Sequence, residues 1–370
     1  MTARTRIEQR LARLRGSMAR AGVGLTAIAP TDNLRWLLGF APLYDERACA
    51  LIVSAERAVM LMPGLNAEQT AAHAPEIPLV RWADEDGPVD ALRDALARVA
   101  PGATAAELTF AADPQMRADH LLLLQGALPG VRTIDAGEVL WPLREIKDGS
   151  ELAALARAAG IADRAMEAAW TACAAGVSEL SIAEAINNVF AAYGCEPEFA
   201  LVGAGAHSAF PHHETGGQLL AEGDAVVIDL GGVLEGYHSD ITRMAFIGEP
   251  TARYREVHSA VEAAVAAALE ATRPGATCGE IDAAARDVIS AAGFAEFFVH
   301  RTGHGLGLSG HEPPYVMAGS DVVLRPGMVH SIEPGIYLPG EFGVRLEEIV
   351  HVTEDGCERF SGLGRHVHIS

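Results

Sequence analysis

The chain is short of positive charge, of cysteine pairs and of long apolar runs, and each shortage excludes something. Its 370 residues hold 28 Lys and Arg against 49 Asp and Glu, a net charge of −21. So acidic a chain argues against nucleic acid and anionic membranes as partners. It suits small or cationic ligands. The cysteines, Cys49, Cys173, Cys195, Cys278 and Cys357, are odd in number, scattered and without a CxxC pair. That speaks against a disulfide framework and a zinc–thiolate site, and it suits a reducing cytosol. No apolar run reaches the roughly 18 residues of a membrane-spanning helix. The first residues, MTARTRIEQRLARLRG, lack the apolar stretch of a signal peptide, so a cytoplasmic protein is expected. No repeat is visible residue by residue.

What is present fits two domains, given the length and a hydrophobic content of 49%. Ile7, Leu11, Leu14 and Met18 recur at helical spacing and predict a helix over 5–22. Strands are expected at Leu25–Ala29, Ala48–Val53, Ala58–Met62, Leu79–Trp82, Ala105–Leu108 and Val131–Ile134. Helices are expected at Asn33–Leu38, capped by Asp32, and over 88–98 and 114–126. Alternation of this kind predicts a small α/β layer. It contains no cluster of His and carboxylates. A boundary near Trp141–Lys147 separates a domain over 1–142 from one over 143–370.

In the second domain Asp148 and Glu151 read as a capping box opening a helix to about Ala174. Another helix follows Ser181, and extended chain starts at Cys195–Val202. Ala225–Arg243, AVVIDLGGVLEGYHSDITR, reads as a β-hairpin with one Asp on each arm. Val257, Val261, Val265 and Leu269 form a helical stripe ended by Pro274–Gly275, and Ile281–Ala292 is a further helix. Phe297–Val352 is glycine-rich and strand-like. The domain therefore reads as two passes of helices followed by strands, over about 150–246 and 251–352.

The chemistry gathers in this second domain. Asp229 ends an apolar strand, which is costly unless a partner takes its charge. Asp240 faces it, and two facing carboxylates repel unless a cation lies between them. Glu333 in SIEPGIY and Glu347 in GVRLEE each read as a Glu in an apolar strand. Packed together the four carry four negative charges, which two divalent cations balance and one does not. His304, in HRTGHGLGL, is the candidate nitrogen ligand. Oxygen-rich ligation with one imidazole and no thiolate suits Mn²⁺, with Co²⁺, Fe²⁺ or Zn²⁺ as alternatives. Two such ions activate water and polarise a carbonyl, which is hydrolytic chemistry. A single His among glycines is ordinarily structural, and a lone strand Glu is ordinarily an edge charge. Their joint occurrence points to a site. GHGLGL lacks the lysine and context of a phosphate loop, and HEPPY lacks the second His of HExxH.

These segments together resemble the pita-bread metallopeptidases: Xaa-Pro dipeptidase (prolidase), aminopeptidase P, methionine aminopeptidase and the metal-free creatinase. The ligand order Asp, Asp, His, Glu, Glu is matched by Asp229, Asp240, His304, Glu333 and Glu347, over about residues 145–360. The resemblance implies an α/β N-terminal domain of creatinase type. Behind it stands an α+β catalytic domain, a curved, mostly antiparallel sheet covered by helices with an internal pseudo-twofold. It implies that Asp240 and Glu347 bridge two metal ions, with Asp229 on one ion and His304 with Glu333 on the other. The proline-directed members place three further histidines near substrate, matched by His212, His300 and His311. These would bind substrate and stabilise the tetrahedral intermediate, with Glu333 as general base. Arg345, two residues before Glu347, would neutralise a substrate carboxylate or hold the active-site carboxylates in place. His213, His366 and His368 are given no role, and neither is Glu348, which points to the strand face opposite Glu347.

The leading reading is a binuclear exopeptidase that cleaves between an N-terminal residue and proline, with a small peptide as substrate. The resemblance adds a homodimer. The alternatives are a hydrolase or lyase of the same fold acting on a small non-peptide compound, and a non-catalytic binding module. The last is disfavoured because all five ligands are kept.

Overall fold

Buried Ile7, Leu11, Leu14 and Met18 give α1 (Ala3–Ala21) its apolar stripe. The computed structural model to which it belongs describes residues 3–101 and 108–370. Two compact units are present, residues 1–144 and 145–370.

The first unit continues with β1 (Leu25–Ile28), α2 (Asp32–Leu38), β2 (Ala50–Ser54), β3 (Ala58–Pro63), α3 (Ala67–His73) and β4 (Leu79–Trp82). Then come α4 (Val89–Val99), β5 (Thr109–Ala112), α5 (Ala118–Ala127), β6 (Arg132–Asp135) and α6 (Gly137–Arg144). The strands form one mixed sheet in the order β4-β3-β2-β1-β5-β6. Leu25, Ile52, Leu61, Trp82, Leu92, Phe110 and Leu124 share its core. The cap of α2 is Thr31, whose side chain accepts from the Asn33 N–H, and Asp32 is the first helical residue. Of the strand expected at Ala105–Leu108, Ala105–Glu107 lie outside the described residues, and the observed strand begins at Thr109.

The second unit opens on α7 (Gly149–Ala172), whose start is a complete capping box between Asp148 and Glu151. The order is then α8 (Glu179–Ala192), β7 (Glu196–Ala204), β8 (Ala225–Leu234), β9 (Tyr237–His238) and β10 (Ile241–Phe246). A second pass follows with α9 (Ala252–Ala271), α10 (Cys278–Ala291), β11 (Gly303–Gly305), β12 (Glu312–Val316) and β13 (Val329–Ile332). The chain ends with β14 (Gly335–Leu338), β15 (Phe342–Arg345), β16 (Glu348–Val352), β17 (Cys357–Arg359) and β18 (His368–Ile369).

Helix α8 starts earlier than the apolar pattern placed it, because Ser178 caps it by accepting from Ser181 N–H. A second capping box, Thr277 with Glu280, starts α10. Two mixed or antiparallel sheets result, β18-β10-β8-β7 with β9 on β8, and β12-β11-β13-β16-β17, beside a β14-β15 hairpin. Each has a core of its own. Ile182, Ile186, Phe190, Ile228 and Ile241 pack in one, and Val257, Val261, Val265, Ile281, Ile332 and Val350 in the other. Glu333 and Glu347 lie just beyond strand ends, not within strands as the apolar runs suggested. There the side chain is free of the sheet's alternation.

Candidate metal centre

Antiparallel pairing of β8 with β10 places Asp229 opposite Thr242, two residues beyond Asp240. His304 is the middle residue of β11, and its flanking glycines have a steric cause. A Cβ at Gly303 would run into the Ser331 carbonyl, and one at Gly305 into the carbonyls of Glu312 and Pro313. Neighbouring backbone therefore closes around His304, which is 2% exposed. Glu333 is fixed by its N–H, which donates to the Thr302 carbonyl at 2.8 Å, and Glu347 by its N–H to the Thr242 carbonyl at 3.1 Å.

These pairings converge. Ligand atoms of Asp229, Asp240 and Glu347 lie within 4.8 Å of one another, as do those of His304, Glu333 and Glu347. The His304 Nδ1–H donates to the Gly305 carbonyl at 3.0 Å, so the Nε2 lone pair is left to face Glu333 at 3.2 Å and Asp240 at 3.9 Å. The Ser331 hydroxyl accepts from His304 N–H at 2.9 Å and donates to Glu333 at 3.0 Å. The Thr242 hydroxyl donates to Glu347 at 3.0 Å. Such outer hydrogen bonds orient metal ligands.

Without a cation the cluster is strained electrostatically. Burial, and then the charges of Glu347, Asp229 and Glu333, push the Asp240 carboxyl well above the usual carboxylate range. Burial, and then Glu333 and Asp229, do the same to Glu347. Asp229 Oδ1 and Glu347 Oε1 are buried and have no hydrogen-bond partner. Orphaned carboxylate oxygens beside an imidazole lone pair are what a divalent-metal site presents, so the residues fit the metal that the donor set implies.

Arg345 is 4% exposed and is committed to this cluster. Its guanidinium donates to Asp229 at 2.6 Å, to the Tyr337 hydroxyl at 2.9 Å and to the Thr242 hydroxyl at 3.1 Å. That geometry serves the carboxylate-holding alternative of the two considered for it. The Tyr337 hydroxyl in turn meets His300 Nε2 at 2.9 Å, and His300 Nδ1–H donates to the Arg301 carbonyl at 2.7 Å. Asp229, Arg345, Tyr337 and His300 thus form one chain. Burial holds the His300 imidazole below its ordinary pKa.

One cavity of about 1140 Å³ contains all five candidate ligands together with His212, His300, His311 and Arg345. Phe199, Leu201, Phe210 and Pro211 add apolar wall. His311 is exposed, its ring centroid 3.7 Å from that of His304. Arg301 donates to its Nδ1 at 3.3 Å, which puts the proton on Nε2. Partial desolvation of the ring, packed against His304 in the cavity, pushes the His311 imidazole down to about 4. His212 is exposed within the cavity wall.

Tyr337, Ser331 and Thr242 belong to this site and were not singled out from the sequence. Tyr337 closes the SIEPGIY segment, and that adjacency was the available signal. Glu348 faces away from the cluster. It is fully buried among Arg243 at 3.0 Å, Arg359 at 2.8 Å and Arg365 at 3.1 Å. His368 stacks on Trp170, and His213 pairs with buried Glu179 at 2.9 Å.

Comparison with known proteins follows the same division of the chain. Residues 153–354 match the family model of metallopeptidase family M24, and residues 10–146 that of the creatinase/prolidase N-terminal domain. The probable dipeptidase PepE of Mycobacterium tuberculosis is 43% identical over 355 residues, covering 94% of this chain and 92% of that protein. The Xaa-Pro dipeptidase of Pyrococcus furiosus is 31% identical over 363 residues, covering 98% of this chain and all (100%) of the relative. The crystal structure of dipeptidase PepE from Mycobacterium ulcerans superposes with a TM-score of 0.93 at 37% identity, covering 99% of each chain.

Proposed function

The chain belongs to metallopeptidase family M24, with a pita-bread catalytic domain and a creatinase-type N-terminal domain, and from that premise we propose that it hydrolyses Xaa-Pro dipeptides. The observation that carries the reading is the single cavity in which five ligands and three histidines meet. The relatives named dipeptidase and Xaa-Pro dipeptidase support the substrate class. Two divalent ions per chain, Mn²⁺ before Co²⁺, Zn²⁺ or Fe²⁺, belong to the same proposal. Its basis is two ligand groups that share Glu347. Asp240 and Glu347 would bridge them, Asp229 would serve one ion, and His304 with Glu333 the other. Bound there, such a pair supplies Lewis acidity toward water and the scissile carbonyl. A cytoplasmic homodimer completes the proposal; free cysteines, of which only Cys357 is not fully buried, suit a reducing compartment.

The chain's own residues supply the rest. Glu333, oriented by Ser331, receives the proton of the attacking water. His311 offers its Nε2–H to the oxyanion of the tetrahedral intermediate. His212 and His300 stand beside the substrate's proline half, with Phe199 and Phe210 as apolar surface for the ring. Proline lacks an amide N–H. A dipeptide with alanine there would leave a donor unpaired in this wall, at a cost of about 1–3 kcal/mol.

Metal-loaded protein should therefore cleave Ala-Pro one to two orders of magnitude faster than Ala-Ala, the rate equivalent of about 1–3 kcal/mol. Ala-Pro-Ala should be a poor substrate. Preference for the tripeptide would replace dipeptidase by aminopeptidase. Cleavage of none of the three would shift the assignment to the non-peptide hydrolase or lyase.

The histidines should separate by role. His311→Ala should lower kcat about 10²–10⁴-fold, the range of an oxyanion donor. His300→Ala, which removes the ring that anchors the Tyr337–Arg345 chain, should lower it about 10- to 100-fold. Each should keep its metal content. His304→Ala should lower both kcat and metal content. Metal loss in His300→Ala equal to that in His304→Ala would show that the ligand set is misassigned.

A further inference from the structure

Among the buried carboxylates outside the metal cluster, Glu179, Asp282 and Glu312 each hold one histidine-bearing segment. Glu179, the first residue of α8, is 0% exposed. Its Oε1 accepts from Ala204 N–H at 3.0 Å and from His207 Nδ1–H at 2.9 Å. Its Oε2 accepts from His213 Nε2–H at 2.9 Å and from Gly216 N–H at 3.1 Å. Both ends of the segment from Ala204 to Gly216 are thereby tied to one side chain, and His212 lies between them.

Asp282 of α10, 1% exposed, accepts from the Thr302 hydroxyl at 2.8 Å and pairs with Arg286 at 3.0 Å. Arg286 in turn donates to the His300 carbonyl at 2.9 Å. Glu312, 2% exposed, follows His311 directly and pairs with buried Lys147 at 2.8 Å.

Of the three, Glu179 asks most for an explanation. Among the described residues no Lys or Arg is paired with it, only the two imidazoles. A fully buried carboxylate without a cationic partner is costly unless its lone pairs are filled. Its ligand atoms converge with those of His207 and His213 within 4.8 Å, as at a metal site. Yet both oxygens already take two N–H donors each, which is the state of a saturated hydrogen-bonded clamp.

We propose that Glu179 is the positioning residue for His212: its carboxylate, with His207 and His213, clamps the Ala204–Gly216 segment so that His212 is held at the substrate. Asp282 and Glu312 do the same for His300 and His311. The proposal rests on the functional reading of His212 given above. It also accounts for the adjacent pair in Pro211-His212-His213, in which one imidazole holds the segment and its neighbour faces substrate.

The test is a double-mutant cycle on metal-loaded enzyme with Ala-Pro as substrate. Gln at 179 sets an amide N–H₂ against N–H donors and opens half the clamp. Glu179→Gln should lower kcat about 10- to 100-fold, the loss that a small misplacement causes. Metal content should be unchanged. In the His212→Ala background the same change should cost less than about twofold, because the group it positions is gone. His213→Ala, which removes one bond of the clamp, serves if Glu179→Gln does not fold, with the same pattern expected.

An equal loss in both backgrounds overturns the clamp, as does unchanged kcat in Glu179→Gln. Loss of a bound ion in Glu179→Gln makes the trio a metal site and also overturns it. Full activity of His212→Ala alone sinks the role given to His212 and the clamp with it. A large His212→Ala defect with an undiminished Glu179→Gln effect sinks the clamp alone.

Discussion

Asp240→Asn should lower turnover of Ala-Pro about a thousandfold or more while the protein stays folded. Metal chemistry of this kind supplies several kcal/mol of transition-state stabilisation, and about 4 kcal/mol corresponds to a thousandfold. Asn keeps the shape of the side chain and removes the charge that a shared ligand needs. Elemental analysis should give about two ions per wild-type chain, since one divalent ion would leave buried negative charge even with Arg345 on Asp229, and fewer in the variant. The fold has its own reason to survive. Burial and three neighbouring carboxylates already disfavour a charged Asp240 in the absence of metal. The neutral amide relieves that repulsion, so in chelator the variant should melt at or above the wild-type temperature. With metal present the order should reverse. Unaltered turnover would reduce Asp240 to a hairpin residue, and a melting temperature well below wild type in chelator would contradict the repulsion.

Arg345→Met should produce the largest loss of stability. The guanidinium is buried and binds Asp229, Tyr337 and Thr242 at once. Removing one partner of a buried pair costs about 3–5 kcal/mol, because the other charge stays behind. In a domain of this size that is a fall in melting temperature of about 6–20 °C. The fall should be greater in chelator than with metal, since a bound cation takes over the charge of Asp229. Turnover should drop about a hundredfold, because Asp229 and His300 lose a shared support. Arg345→Lys should recover little, as a point charge cannot reach three partners in a fork. Equal melting temperatures for Arg345→Met and wild type would show the network to be incidental.

The expected two domains, the α/β layer, the two passes of helix and strand, and the candidate ligands were all legible in the chain because those signals are local. Periodicity reports burial within a few residues, as at Ile7 to Met18. His304 announces itself through Gly303 and Gly305, which are required wherever neighbouring backbone packs against its strand. Local signals failed where a short-range competitor won. Thr31 caps α2 ahead of Asp32, Ser178 starts α8 early, and Glu333 and Glu347 lie past their strands.

Which partner each polar side chain takes emerged with the fold. Arg345 reaches Asp229 across a separation of 116 residues, and Glu347 takes the Thr242 hydroxyl across 105. Tyr337 joins His300 to Arg345, and Glu179 takes the segment around His212, with no spacing in the chain to foretell either. The physical reason is that a buried charge must find its hydrogen-bond partners wherever the packing of sheets and helices brings them. The hairpin of β8 with β10 was legible in the chain, but the pairing of Glu347 with Thr242 beyond it is a property of the folded sheets. The candidate ligands could therefore be named from the chain, whereas the groups that orient their side chains could be named only from the fold.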